Sequence, residues 1–246
     1  MVNIFYKNKY METLRKPSFF LLAALVVSTV CRAQTAEEVV AKYTQAIGGK
    51  EVLANIKSTV MTTNVEVGGN DYPSVITILA GKGFKSETDL NGTKFIQCVS
   101  DHGGWTINPI AGQTTPTAIP DADVKKGQTQ LSIAPLANYA ANGGKIELAG
   151  KDAADYKIKY SDANGVKATY YISATTYLLD KAETTVTMQG QDVDVTVLFS
   201  DYRKIDAGVM VPFKIERNMP QYSLNITLTK VEVNTAVDPA IFEMPK

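Results

Sequence analysis

The sequence is short of the side chains on which most active sites are built. It contains one histidine, His102, and two cysteines, Cys31 and Cys98, among 246 residues. A single imidazole excludes a multi-histidine zinc centre, and a serine or cysteine triad would have to be assembled around that one residue. His102 stands in the turn 101–104, where hydrogen bonding at a solvated corner is its expected role. Nucleophile-elbow, phosphate-loop and dinucleotide fingerprints are absent. Asp121 with Asp123 and Asp192 with Asp194 come nearest to the paired carboxylates of a glycosidase. Each pair is local, and the pattern puts them at a helix start and a strand end facing solvent. No catalytic group, metal or cofactor is therefore expected.

Long apolar runs are missing too. The run at residues 19–30 holds twelve residues, against about 20 for a membrane-spanning helix. Lys7, Lys9, Arg15 and Lys16 precede it and Cys31-Arg32-Ala33 follows, the basic, apolar, small-residue order of a secretory signal. Residues 1–33 are thus expected to be a signal peptide cleaved after Ala33, with Met11 as an alternative start. The product would be periplasmic or otherwise exported, and soluble. Val30 sits where a lipoprotein signal wants Gly, Ala or Ser, so lipid anchoring at Cys31 is the lesser expectation. The remaining 213 residues carry 20 basic and 24 acidic side chains, a balance that argues against a nucleic-acid partner. They hold only Cys98, so no intramolecular disulfide can staple them, and a lone cysteine in a strand pattern reads as a small buried apolar residue.

What is present is alternation. Thr35 with Glu38 makes a capping box, after which Val39, Val40, Tyr43, Ala46 and Ile47 share a helical face until Gly48-Gly49, and a short second turn follows over 50–56. From Ser58 the period becomes two. Strands are predicted over 58–67, 72–80, 84–90, 93–100 and 105–108, with Asn91-Gly92 the strongest of the turn signals. Between Pro109 and Gly144 the strand pattern stops, and 121–130 and 135–141 read as two short helices. The alternation returns in 156–160, 166–172, 178–188, 193–200 and 211–215. In the final strand the phase slips from Leu224, Ile226 and Leu228 to Val231 and Val233, which predicts a β-bulge near Thr229 and Lys230. No repeat or linker divides the chain, so one domain is expected over 34–246.

About twelve strands, each with one apolar face, would make a flat sheet about 58 Å wide. Three short helices cannot cover such a face, and open antiparallel sheets of that size curl or split. The expected fold is α+β, mostly β: an antiparallel sheet rolled into an incomplete barrel, with an N-terminal helix and a helical lid insertion over 109–144. Such a shape can hold an apolar ligand unless its own side chains fill it.

The helix that opens the domain, Gly104-Trp105-Thr106-Ile107-Asn108-Pro109 before the insertion, Asp201-Tyr202-Arg203-Lys204 leading to Val211-Pro212-Phe213-Lys214-Ile215, and the closing Val237-Asp238-Pro239-Ala240-Ile241-Phe242-Glu243-Met244-Pro245 together resemble the LolA-like outer-membrane lipoprotein-sorting proteins. The resemblance runs over residues 34–246. It implies an incomplete barrel under a helical lid that takes the acyl chains of a lipoprotein or lipid. The family's carriers have an arginine on an early strand that bonds the lid, whereas residues 34–246 hold only Arg203 and Arg217, both late. The expected function is a non-enzymatic carrier or sensor of acylated ligands, the partners being lipid or lipoprotein acyl chains. The expected ligand-binding residues are Leu131, Ile133, Leu136 and Tyr139 of the lid, Trp105 at its entrance, and Val197 and Phe199 on an inward strand face. The alternative is a protein-interaction scaffold with a filled barrel that binds an envelope protein partner.

Overall fold

The capping box forms. The Thr35 hydroxyl accepts from the Glu38 N–H at 3.2 Å and the Glu38 carboxylate accepts from the Thr35 N–H at 3.3 Å, starting helix α1 over Ala36–Ala46. Val39, Val40, Tyr43 and Ile47 are buried along one side of it. Burying each large apolar side chain stabilises the packing by about 1.5 to 3 kcal/mol. Gly48 and Gly49, at φ 133° and 87°, end the helix in a conformation that residues with a Cβ rarely adopt, and α2 follows over Lys50–Ala54. The computed structural model describes residues 34–246 apart from 153, 189 and 190. The expected signal peptide, its cleavage site and Cys31 lie outside the described residues.

Beyond the helices come β1 (Ser58–Val67), β2 (Asn70–Leu79), β3 (Gly83–Leu90), β4 (Thr93–Ser100), β5 (Gly104–Asn108) and β6 (Gln113–Ala118). After α3 (Asp121–Gly127) follow β7 (Lys145–Lys151), β8 (Asp155–Ser161), β9 (Lys167–Ser173), β10 (Leu179–Met188), β11 (Gln191–Lys204), β12 (Met210–Asn218) and β13 (Ser223–Val233). The described strands form one antiparallel sheet of 13, in the order β6-β5-β4-β3-β2-β1-β13-β12-β11-β10-β9-β8-β7. Two meanders thus meet at the β1–β13 pair. The segment 119–144 runs from the last strand of one to the first strand of the other, and β6 and β7 are left as open edges. The sheet is not closed into a barrel.

Two expectations for the insertion need correction. The strand pattern continues past Pro109, because 113–118 forms β6. Its residues are almost all exposed, so no apolar alternation betrays it, and Pro116 is tolerated because an edge strand can lack one N–H. The stretch 135–141 forms turns rather than a helix, while α3 and a 3-10 turn over Gln128–Leu131 replace the helix expected at 121–130. The predicted bulge is present: Thr62 pairs with Lys230 and Thr63 with Leu228, so Thr229 is the extra residue. Its hydroxyl donates to the Thr62 carbonyl at 3.1 Å.

The two faces are covered by different parts of the chain. On one, α1 and the insertion pack over β7 to β10 in a cluster containing Val39, Val40, Tyr43, Leu136, Ile158 and Ile172. On the other, Ile96, Cys98 and Trp105 pack against Phe242 of the C-terminal 3-10 turn Pro239–Phe242. Cys98 is fully buried, and burial pushes its thiol up to about 12, as befits an inert apolar residue.

Candidate ligand site

Strand pairing fixes which side chains share a face. Phe199 lies opposite Ile215, Ile215 opposite Ile226, Ile226 opposite Val65, and Met61 opposite both Val231 and Ile76. This face is concave: Ile78 of β2 and Tyr170 of β9, six strand spacings or about 29 Å apart in a flat sheet, line one cavity of about 370 Å³. The sheet supplies Met61, Ile78, Phe199, Ile215, Leu228 and Val231, α1 supplies Tyr43, and Ile47 follows just after it. The segment Ile133-Ala134-Pro135-Leu136 closes over them.

The cavity reaches across the chain because β11 changes phase. Phe199 and Tyr202 both line it, although residues three apart in a regular strand face opposite ways. Between them Asp201 sits at φ 53°, which turns Tyr202 inward, and the Tyr202 hydroxyl donates to the Leu179 carbonyl at 2.8 Å. On Asp201 the carboxylate accepts two bonds from Arg203, at 3.1 and 2.6 Å, and the guanidinium lies 4.6 Å from the centre of the Phe213 ring. The motif Asp201-Tyr202-Arg203 is therefore a brace for the rim of the cavity.

The lining is apolar with few polar atoms. Burial raises the phenol pKa values of Tyr43, Tyr170 and Tyr202, so all three stay neutral at physiological pH. Hydroxyls elsewhere on the concave face turn into the sheet: Thr63 donates to the Ser74 carbonyl at 3.3 Å and Ser74 to the Glu87 carbonyl at 2.9 Å. Thr59 differs, because its buried Oγ1 has no hydrogen-bond partner and it lines the cavity. Among the described residues no three His, Cys, Asp or Glu side chains come together as a metal site.

Of the residues singled out from sequence, Ile133, Leu136 and Phe199 line the cavity. Leu131 is buried, with its carbonyl accepting from the Gly81 N–H at 3.1 Å, and Tyr139 packs against the α1 cluster; neither reaches the lining. Val197 is half-buried on the concave face one row beyond Phe199. Trp105 lies on the opposite face: it pairs with Cys98 and its Nε1–H donates to the Phe242 carbonyl at 3.0 Å. The expected place at the entrance is thereby replaced by a place in the convex cluster. Tyr43, Ile47 and Tyr202 were not foreseen as lining. The helical stripe that holds the first two was legible, but not what it faces.

No family model matches the sequence, and no curated protein matches it. Solved structures do. A LolA superfamily protein from Nitrosomonas europaea superposes with a TM-score of 0.56 at 12% identity, covering 87% of this chain and 99% of that one. A domain from Vibrio parahaemolyticus, named as a candidate outer membrane lipoprotein-sorting protein, gives 0.55 at 15% identity over 84% and 96% of the two chains. A DUF1329 family protein from Desulfovibrio piger gives 0.54 at 15% identity over 86% and 98%. The fold is that of the LolA-like proteins, as the sequence motifs anticipated.

Proposed function

We propose that this chain is an exported envelope protein that binds the acyl chains of a lipid or lipoprotein in the cavity beneath Ile133 and Leu136, acting as a carrier or sensor and not as an enzyme. The observation that carries the reading is the cavity itself. At about 370 Å³ it is within the range of small-molecule sites, roughly 300 to 1,000 Å³. Its walls are almost wholly apolar, so the favourable contribution on offer is burial of hydrocarbon. The likeness in fold to LolA superfamily and lipoprotein-sorting structures supports the same reading. So does the basic, apolar, small-residue order of residues 1–33, which fits export to the periplasm.

The segment 133–136 would serve as a lid. It contributes two large apolar side chains to the cavity and no strand to the sheet, so it can move without unzipping a ladder. Ile133→Ser with Leu136→Ser should leave the β-sheet circular dichroism in place. Binding of an environment-sensitive fluorescent fatty acid should weaken at least tenfold, or about 1.4 kcal/mol. Mass spectrometry of organic extracts of protein purified from its own envelope should find a stoichiometric acylated molecule. Delipidated protein that binds no probe across acyl lengths would refute the reading. Extracts free of lipid, together with a reproducible protein partner, would favour the scaffold alternative.

A further inference from the structure

Arg217 breaks the rule that governs the surrounding sheet. Over 59–67 of β1, 193–199 of β11, 214–217 of β12 and 224–228 of β13 the alternation sends the other charged side chains to the convex face, where Glu66, Asp194, Lys214 and Glu216 lie. Arg217 belongs to the other set. It stands opposite Val197 on one side and Leu224 on the other, and Val197 stands opposite Ala182. The row Ala182, Val197, Arg217 and Leu224 follows the row Phe199, Ile215 and Ile226, about 7 Å further along the strands, and Phe199 and Ile215 line the cavity. Between Val193 and Phe199, Ile215 and Arg217, Leu224 and Leu228, and Thr59 and Val67, the concave set holds no second charge.

The guanidinium is reachable by solvent, yet surrounding protein lowers its pKa, as expected of a cation inside a trough rather than on a convex surface. Among the described residues no carboxylate lies within ion-pair distance of it. Five N–H donors in a fixed fork match the oxygens of a phosphate or carboxylate, and apolar walls strengthen such a pair.

We propose that Arg217 marks the headgroup end of the ligand site: the acyl ligand carries one anionic group, a phosphate or a carboxylate, that pairs with the guanidinium while its chain runs past Val197 and Phe199 into the cavity. This rests on the acyl-binding reading and adds polarity and charge to it. The test is calorimetric titration of the delipidated protein at pH 8 with decyl phosphate, decanoate and decanol. At least one anion should bind tenfold or more tighter than the alcohol, and the preference between the two anions identifies the headgroup. In Arg217→Met the anions should lose their preference over decanol measured on the same variant, while Arg217→Lys should keep part of that preference. Equal binding of all three by the unmodified protein, or an anion preference that survives Arg217→Met, overturns the proposal and leaves the acyl-binding reading standing. Binding of none overturns both.

Discussion

At the scale of single residues, the convex face is decided by a missing Cβ. A Cβ placed on Gly83 would meet the Phe242 ring at 2.3 to 2.5 Å, so the ring lies flat over that backbone. Gly83→Ala should displace the C-terminal turn and cost about 1 to 3 kcal/mol in urea unfolding, in the manner of an overpacked core. Gly103→Ala, with nothing within 4 Å of its Cβ and no positive φ, is the control and should be near neutral. The same turn is held by His102, whose Nδ1 lies 2.7 Å from Asp101 and whose Nε2 lies 3.2 Å from Glu243. These bonds, Asp101 first and Glu243 second, raise the His102 pKa. A raised pKa contributes stability that is complete below the ordinary histidine value of about 6.5 and is lost as pH climbs through the folded value above it. Trp105, bonded to the Phe242 carbonyl, reports on this turn, so its emission should change through that window in the unmodified protein and stay flat in His102→Gln. A step that persists in the variant would assign it to another group. Trp105 also shows where sequence stops informing: alternation groups Ile96, Cys98, Trp105 and Ile107 on one face but cannot say that this face is convex and that the far end of the chain covers it.

At the scale of elements, legibility follows burial. The capping box, the Asn91-Gly92 turn and the Thr229 bulge were readable because each is local chemistry or a break in an apolar rhythm. Asn91 and Gly92 do take positive φ, at 57° and 90°. β6 was not readable, since an edge strand of exposed Thr, Gln and Pro buries too little to impose a rhythm. The turns at 135–141 were misread as helix because their apolar spacing comes from packing Leu136 and Tyr139 on α1, not from helical periodicity. α1 is the element on which lid and cavity wall both depend. Thr35→Ala should therefore lower stability by about 1 kcal/mol and Thr35→Gly by a few tenths, measured by urea unfolding. Equal stabilities for Thr35→Ala and the unmodified chain would mean that tertiary packing alone fixes the start of the helix.

At the scale of the whole 34–246 unit, the count of one-faced strands against the scarcity of helices was enough to foresee a curved open sheet with an apolar hollow. The order of strands was not foreseeable, because pairing β1 with β13 joins residues such as Met61 and Val231, 170 positions apart, and no local signal spans that distance. That pairing has a consequence for connectivity. The sheet order, read from β7 through β13 and then from β1 to β6, is a plain run of neighbours interrupted only because β1 to β6 precede β7 to β13 along the chain. A circular permutant cut within 136–144, with a flexible linker from residue 246 to residue 34, would make every hydrogen-bonded pair of strands consecutive along the chain. Its contact order would fall, and loop closure would no longer have to precede the central pairing. The permutant should reach the same sheet by circular dichroism and refold faster in stopped-flow, with its lid severed from one edge. The original connectivity then exchanges folding speed for a tether that holds the two open edges of the hollow to one another.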